Sequence, residues 1–381
     1  MTFVSKKFFL IFASTLSLLL LVIGYYVAPT HDYLGYFKHW DLVLSGGDPW
    51  ARIHGANAYG PVHNLFAFIY ALNIQWPKLI FIASWLLIGW YTLYKLMQNT
   101  QARPLEVGLV FLIWFLNPLF LVGMLVYGFN DAFVALLMFF GLILATQTPQ
   151  KMKHGVSLLA LAFVTKLYPL FVLPFLTANK QTIKSNVLLF LTIVIAVYLA
   201  AFFVWGDSVF YPFGKANGRD PAMFSFMAFV FNSYFPFGLV VADTIILLGN
   251  LFILVSMAYV FHQLLKGRFE VHTAVLLGFT FLFMFYKVGN FQFYISYFAV
   301  FLYWLLVEFQ KPHPNRAVFY TMILFALWFG VMAGLVYPLT DRMQGDYEWL
   351  REVIGLPTFI FQLAIVVFLI KNSRNRTIEE A

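Results

Sequence analysis

From Phe8 to Val27 the chain runs for about 20 residues without a charged side chain, the length a helix needs to cross the hydrocarbon core of a bilayer. Similar apolar runs recur to the end of the sequence, separated by short breaks that carry the prolines and the basic residues. Only 10% of the 381 residues are charged and 62% are hydrophobic, so a soluble fold would have too few polar groups to cover its surface. An all-α polytopic membrane protein is the expectation. The first run follows Lys6 and Lys7, exceeds a signal-peptide core in length, and ends at Ala28 and Pro29, a poor cleavage site. It therefore reads as an uncleaved first span.

Further spans are expected at 78–95, 105–126, 131–147, 187–205, 238–262, 271–286, 291–309, 317–338 and 356–371. With the first run they make about ten crossings and place both termini in the cytoplasm. The segment 155–176 is interrupted by Lys166 and Pro169, with basic loops on both flanks, one of them running from Gln147 to Gly155. As a single crossing it would invert every later loop. As a short helical hairpin it leaves fifteen of the 24 basic residues inside, six outside, and Lys78, Lys166 and Lys287 in or at the membrane. The net charge of +8 then reflects orientation in the membrane rather than a nucleic-acid partner. No cysteine is present, which excludes a disulfide framework and a thiolate metal site. Neither a P-loop nor a Gly-rich Rossmann turn occurs, which disfavours a nucleotide-driven pump and a soluble nucleotide-sugar domain.

The chain reads as one integral membrane domain, and its polar residues collect in loops on the outer face. The first loop, 29–77, is the densest of them, and 206–237 and 339–355 are the other long ones. Within the first, Tyr33 to Leu44 has the pattern of an amphipathic surface helix closed by Ser45–Pro49, and Pro61 to Leu72 is apolar but only half a span. Asp32, between His31 and Tyr33, stands at the membrane boundary. A carboxylate there can have its pKa raised toward working pH and act as a general base, or it can simply cap the helix that follows. Asp41 reads as a solvated residue of that helix and Asp48 as a turn former. Asn130 and Asp131 fit the cap of the next helix. Lys166, between two apolar runs, needs a partner: an anionic lipid phosphate, or a group within the protein. Lys287, near Gln292, is a second phosphate candidate or an interfacial anchor. Among His31, His39, His54 and His63 there is no clear metal spacing, and the metal arrangement the sequence allows is a divalent cation on Asp32 with one neighbour.

Four blocks carry a resemblance. They are Asp32 and Tyr33 followed by Gly46, Pro49, Trp50, Tyr59 and Pro61; Gly128 with Asn130, Asp131 and Ala132; Lys166–Pro169 with Leu173 and Pro174; and Lys287, Val288, Gln292, Phe293 and Tyr294. In this order the chain resembles the multispanning GT-C glycosyltransferases that use polyprenyl-phosphate sugars, most closely the family that adds the first mannose in GPI-anchor synthesis. That family carries an Asp-x-Asp pair in the first loop; here Thr30 stands in place of the first acid.

The resemblance implies transfer of a hexose, mannose in that family, from a polyprenyl-phosphate donor to a hydroxyl of a lipid-linked or membrane glycan acceptor, with inversion. Asp32 would be the base, and Lys166, Tyr168, Lys287 and Gln292 would hold the donor phosphate. His31, Tyr33, Asp41, Trp50, Arg52, Tyr59, Asn130 and Asp131 would line the substrate loop, its aromatics suited to stacking on sugar faces. The membrane would be the plasma membrane of a prokaryote or the endoplasmic reticulum of a eukaryote. Two other classes fit the same composition: a lipid-linked sugar transporter, suited by intramembrane Lys166, Lys287 and Asp243, and a non-catalytic subunit of a glycosylation complex.

Overall fold

The computed structural model describes residues 3–51, 57–176, 183–217, 221–234, 239–342, 350 and 353–379. It is a helical protein. The longer helices are α1 (Phe3–Tyr26), α2 (His31–Leu44), α3 (Trp76–Gln98), α4 (Pro104–Phe115), α5 (Asp131–Gln147) and α6 (Pro149–Thr165). They continue with α7 (Ile183–Trp205), α8 (Leu239–Leu265), α9 (Val271–Phe285), α10 (Phe293–Glu308), α11 (Arg316–Val331) and α12 (Gly355–Glu379). Strand structure among the described residues is one parallel bridge that pairs Ala222–Met223 with Val288–Gly289.

Among the described residues seven helical stretches are long and apolar enough to cross a membrane, including Phe9–Tyr26, Pro104–Val126 and Gly355–Ser373. The other three segments expected as spans, α5, α9 and α10, are apolar but only 17, 15 and 16 residues long. At 1.5 Å per residue each rises about 23–26 Å, short of a roughly 30 Å hydrocarbon core. α9 and α10 are also buried on nearly all sides. A helix wrapped by protein is not held to the bilayer's length. Against the expectation of about ten crossings, the described residues hold seven helices of full length and these three shorter apolar ones.

Other boundaries differ for local reasons. The basic stretch from Gln147 to Gly155 is not a loop, because Thr148 accepts the amide of Lys151 and Pro149 occupies the first helical position, so α6 starts there. The 105–126 run breaks at Asn117–Pro118 and resumes as a π-helical turn over Leu121–Val126. Pro61–Leu72 becomes two short helices, Pro61–Asn64 and Phe66–Tyr70. α2 forms as expected, with its aromatic side turned into protein and Leu34, Lys38 and Asp41 exposed. Tyr33, Tyr36, His39 and Trp40 are all buried in protein, packed with Phe66 and Phe81. The two later loops are partly structured, with short helical pieces at Gly206–Asn217, Phe226–Tyr234 and Tyr337–Arg342. Arg52 and the loop acids Asp220, Asp346, Glu348 and Glu352 lie outside the described residues.

The chain divides into two compact units. One comprises Met1–Met97, Leu121–Leu173 and Asn179–Arg219. Its centre is the antiparallel pair α5 and α6, which meet so closely that a Cβ on Gly155 would sit 2.5 Å from the carbonyl oxygen of Gly141. Small residues let two helix backbones approach in this way where lipid supplies no hydrophobic drive. α7 packs along α6, burying Phe190, Tyr198 and Ala201 and leaving Leu188, Leu191, Ile195 and Leu199 exposed.

The second unit comprises Gln98–Phe120, Pro174–Ala178 and Asp220–Ala381. It is built round α10, whose aromatic residues pack on α9 and α11; the rings of Tyr294 and Phe329 lie 4.0 Å apart. Asn117 donates to the carbonyl of Ala326 at 2.8 Å, joining the break after α4 to α11.

The interrupted segment reverses the chain. After α6 ends at Thr165, Lys166 is extended, Tyr168–Val172 is a 3₁₀ turn and Leu173–Leu176 adds one helical turn. Asn186, near the start of α7, donates to Met152 Sδ near the start of α6 at 2.8 Å. α7 therefore begins beside the end of α6 from which the chain set out, the return expected of a hairpin, although its outward limb is a full helix. Because the chain has no cysteine of its own, single Lys151→Cys and Lys184→Cys variants can be labelled in sealed vesicles with an impermeant maleimide. Both are expected to react from the same side, and reaction from opposite sides would show a full crossing between them.

Candidate functional site

Three of the four sequence blocks meet in the first unit. Gly60, from the first loop, donates its N–H to the carbonyl of Thr165 at 3.0 Å. Its missing side chain is required, because a Cβ there would stand 2.2 Å from the oxygen of Val164. This contact sets the loop against the C-terminal end of α6. There Lys166 leaves helical geometry, with φ −155° and ψ 142°, and its side chain turns to the first residue of α5.

Lys166 Nζ lies 2.7 Å from both carboxylate oxygens of Asp131, and Tyr168 donates to Oδ1 of the same acid at 3.1 Å. The ammonium also stands 5.0 Å from the ring centre of Tyr59. Asp131 is fully buried and Lys166 nearly so. The internally paired reading of Lys166 is the one the structure displays. Neither Asn130 nor Asp131 caps α5 through its side chain, which corrects that expectation. Both point instead into this cluster.

A hydrogen-bonded line runs on from the pair. Tyr59 donates to Tyr36 at 3.3 Å, Tyr36 to Asn130 Oδ1 at 3.4 Å, and Asn130 Nδ2 to His63 Nδ1 at 2.9 Å. The last bond places the hydrogen of a neutral imidazole on Nε2, which is buried without a partner, as is Nδ2 of Asn64. Burial, with His39 and Lys166 nearby, holds the pKa of His63 well below the usual imidazole range, so the ring stays uncharged. Burial, Tyr59 and the carboxylates of Asp32 and Asp131 raise the hydroxyl of Tyr36 well above the usual phenol range, so it remains a donor.

Asp32 thus sits close enough for its charge to reach the same phenol as Asp131. It occupies the first turn of α2, one turn before Tyr36, and is half-buried. It is not the helix cap. That position belongs to Thr30, whose hydroxyl donates to the carbonyl of Val126 at 2.8 Å. An acid in the first turn is favoured by the helix dipole in any case.

The other loop residues divide differently. Tyr33 and Trp50 are buried, their rings enclosed by neighbours. Tyr33 bonds Ile74 O at 2.6 Å, and Trp50 bonds Tyr59 O at 3.0 Å while packing on Trp205. They brace the loop from within instead of offering a face to a sugar. Asp41 is exposed and bonds Tyr70; nine residues along α2 from Asp32, it is about 14 Å away. His31 begins α2. Lys287 and Gln292 are buried in the second unit, where the carbonyl of Lys287 accepts from Ala222 and from the hydroxyl of Ser225.

Tyr36, His63 and Asn64 were not anticipated as site residues. A signal existed for Tyr36, which is four residues from Asp32 on one helical face. His63 gave none, since its role depends on Asn130, 67 residues away.

Among the described residues no three His, Asp or Glu side chains group as metal ligands. Asp131 offers a cation little, because Lys166 covers both its oxygens. No protein-family model matches the chain, and no curated protein matches it.

Two consequences are testable. Breaking a buried ion pair leaves an uncompensated charge, so Asp131→Asn or Lys166→Met should each cost about 3–5 kcal/mol, while the double variant should recover most of the loss. Unfolding of all four proteins in the same detergent measures this. Separately, burial and the charges of Lys215 and Lys38 lower the pKa of His39 to about 4. The unfolded chain therefore takes up the proton first as pH falls. Stability is complete above about pH 6.5 and declines toward pH 4, by about 1–2 kcal/mol between pH 6.5 and pH 5. The thermal midpoint should fall over that range, and fall less in His39→Gln.

Proposed function

We propose that this protein is a membrane glycosyltransferase that moves a hexose, mannose on the resemblance, from a polyprenyl-phosphate sugar to an acceptor hydroxyl. What supports the reading most is the convergence of the Asp32 loop, the Asn130–Asp131 turn and the Lys166–Pro169 segment on one cluster. Asp32 and Lys166 are more than 130 residues apart in the chain, and nothing in helix formation alone requires these stretches to meet.

Of the two acids, accessibility selects Asp32 as base. Asp131 is sealed and committed to Lys166, whereas Asp32 is only half-buried at the loop face. In the proposed reaction Asp32 takes the proton from the acceptor hydroxyl as that oxygen attacks the anomeric carbon. The bond from that carbon to the phosphate oxygen breaks with its electron pair, polyprenyl phosphate leaves, and the configuration inverts. Developing charge on the leaving phosphate calls for fixed positive groups, the role proposed for Lys166, with Asp131 and Tyr168 holding it in place. Lys287 and Gln292 are proposed as further phosphate contacts on the resemblance alone. His63, neutral and sealed from solvent, is suited to orient Asn130 and not to transfer protons.

The test is transfer by purified protein in lipid, supplied with radiolabelled polyprenyl-phosphate mannose and a membrane lipid extract. Wild type should form a labelled lipid product. Asp32→Asn should reduce its rate by at least a thousandfold while still binding donor, and Asp41→Asn should remain within a few fold of wild type. Equal product from wild type and Asp32→Asn would remove Asp32 as base. Donor movement between leaflets without product would favour a transporter.

A further inference from the structure

Between Arg52 and Lys78 the chain carries no Asp, Glu, Lys or Arg, although this stretch belongs to the first loop, where polar residues are otherwise densest. From Asn57 to Trp76 each exposed side chain is apolar: Leu65, Phe68, Ala71, Leu72, Ile74 and Trp76. Phe68 and Leu72 leave 60% and 71% of their surface uncovered, so they are not core residues that merely reach an edge. The opposite side of the same turns is firmly packed. Phe66 lies against Phe81 and Phe133, and Tyr70 against Phe37 and Trp40. The stretch is thus two-sided, one side fixed to protein and the other bare. α2 differs, since its exposed residues include Lys38 and Asp41, which suit water.

The bare side continues a surface that faces lipid. The stretch runs directly into α3, one of the helices long and apolar enough to cross a membrane. In the first turn of α3, Lys78 Nζ donates to the carbonyl of Val27 at 3.0 Å, which brings the start of α3 level with the end of α1, another full-length span. Exposed Tyr26 on α1 and exposed Trp76 on α3 mark that level, and amphipathic rings of this kind collect at the edge of the hydrocarbon. Backbone groups are met within the stretch as well. The amides of Phe68, Ala71 and Leu72 donate to the carbonyls of Leu65, Ala67 and Ile69. At the turn into α3, Asn73 accepts the amide of Gln75 through its side chain at 2.8 Å and that of Trp76 through its carbonyl at 3.1 Å. Chain satisfied in this way can lie in hydrocarbon without the cost of bare N–H groups.

We propose that Leu65–Trp76 is a ledge set in one leaflet of the bilayer, at the membrane face where α1 ends and α3 begins, with Leu65, Phe68, Leu72, Ile74 and Trp76 against acyl chains. It is too short to cross and has no charge to hold it in water. It anchors the loop that carries Asp32, and the link is close: Tyr33, the next residue, donates to the carbonyl of Ile74 at 2.6 Å. Resting on the proposed sugar transfer, the ledge gives a lipid-tailed substrate an apolar approach to Asp32 along the leaflet.

The cysteine-free chain allows single nitroxide labels on Phe68→Cys, Leu72→Cys and Lys38→Cys, read by EPR power saturation of the full-length protein in phosphatidylcholine vesicles. Oxygen concentrates in hydrocarbon, whereas a nickel chelate stays in water. The ratio of oxygen to chelate collisions should be several-fold higher for the labels at Phe68 and Leu72 than for the label at Lys38. Both ledge positions are exposed, and either alone decides the matter if the other variant does not fold. The proposal is overturned if the ledge labels meet the chelate as readily as the label at Lys38, which would put this stretch in water. It is overturned equally if they are shielded from both reagents, which would show a protein partner or a second copy covering them. The labels report location without substrate, so a failed ledge leaves the Asp32→Asn transfer assay unchanged, and a failed transfer assay leaves the ledge in place.

Discussion

The ion pair between Lys166 and Asp131 constrains the first unit more than any other contact. An ammonium among apolar helices is tolerable only with an opposite charge and good hydrogen-bond geometry, and here both carboxylate oxygens and Tyr168 supply them. The pairing fixes where α6 must stop relative to the start of α5. That in turn places the 3₁₀ turn, the reversal of the chain and the seat on which Gly60 brings down the first loop. Exchanging the pair for apolar residues would preserve packing but remove the charge around which Tyr59, Tyr36 and Asn130 are arranged.

Aromatic residues form the second tier. One chain position in five is Phe, Trp or Tyr, and in the first loop the rings mostly support one another. Tyr33, Tyr36 and Trp40 project from one side of α2 and pack edge to face, while His63 lies against Tyr36 and Tyr59. Each phenol or indole also needs a hydrogen-bond partner once buried. The loop therefore folds into a specific network, and Asp32 takes its position at the network's edge from the rigidity beneath it. The second unit uses the same economy at the far ends of its helices. Glu106 receives Arg316 at 2.7 Å, and Glu308 receives His272 and Lys311, so buried acids stitch helix ends that no lipid contact would hold.

The helical, membrane-spanning character and most helix positions follow from residues read one stretch at a time. Long apolar runs without charges can satisfy their backbone in lipid only as helices, and the basic residues between them gave the reversal at Lys166 its first support. The lengths of α5, α9 and α10 were not legible, since short and full spans look alike when both are apolar. The burial of α2 was not legible either: its alternation of aromatic and polar residues suits a membrane surface and a protein core equally well.

The sequence by itself determined that this chain is a bundle of apolar helices with a polar first loop, and it singled out Asp32 and Lys166 because isolated charges in such a chain are costly. Only the tertiary structure decided what those charges meet. Asp131 looked like a helix cap, yet it is the partner of Lys166. His63 looked like one histidine among several, yet it ends the line of bonds that begins at Tyr59. Trp304 looked like one more aromatic residue in a span, yet its indole N–H is buried without a hydrogen-bond partner. The physical reason is the same in each case. Helix formation depends on neighbours within a few residues, whereas the pairing of a buried donor or charge depends on groups brought from distant parts of the chain.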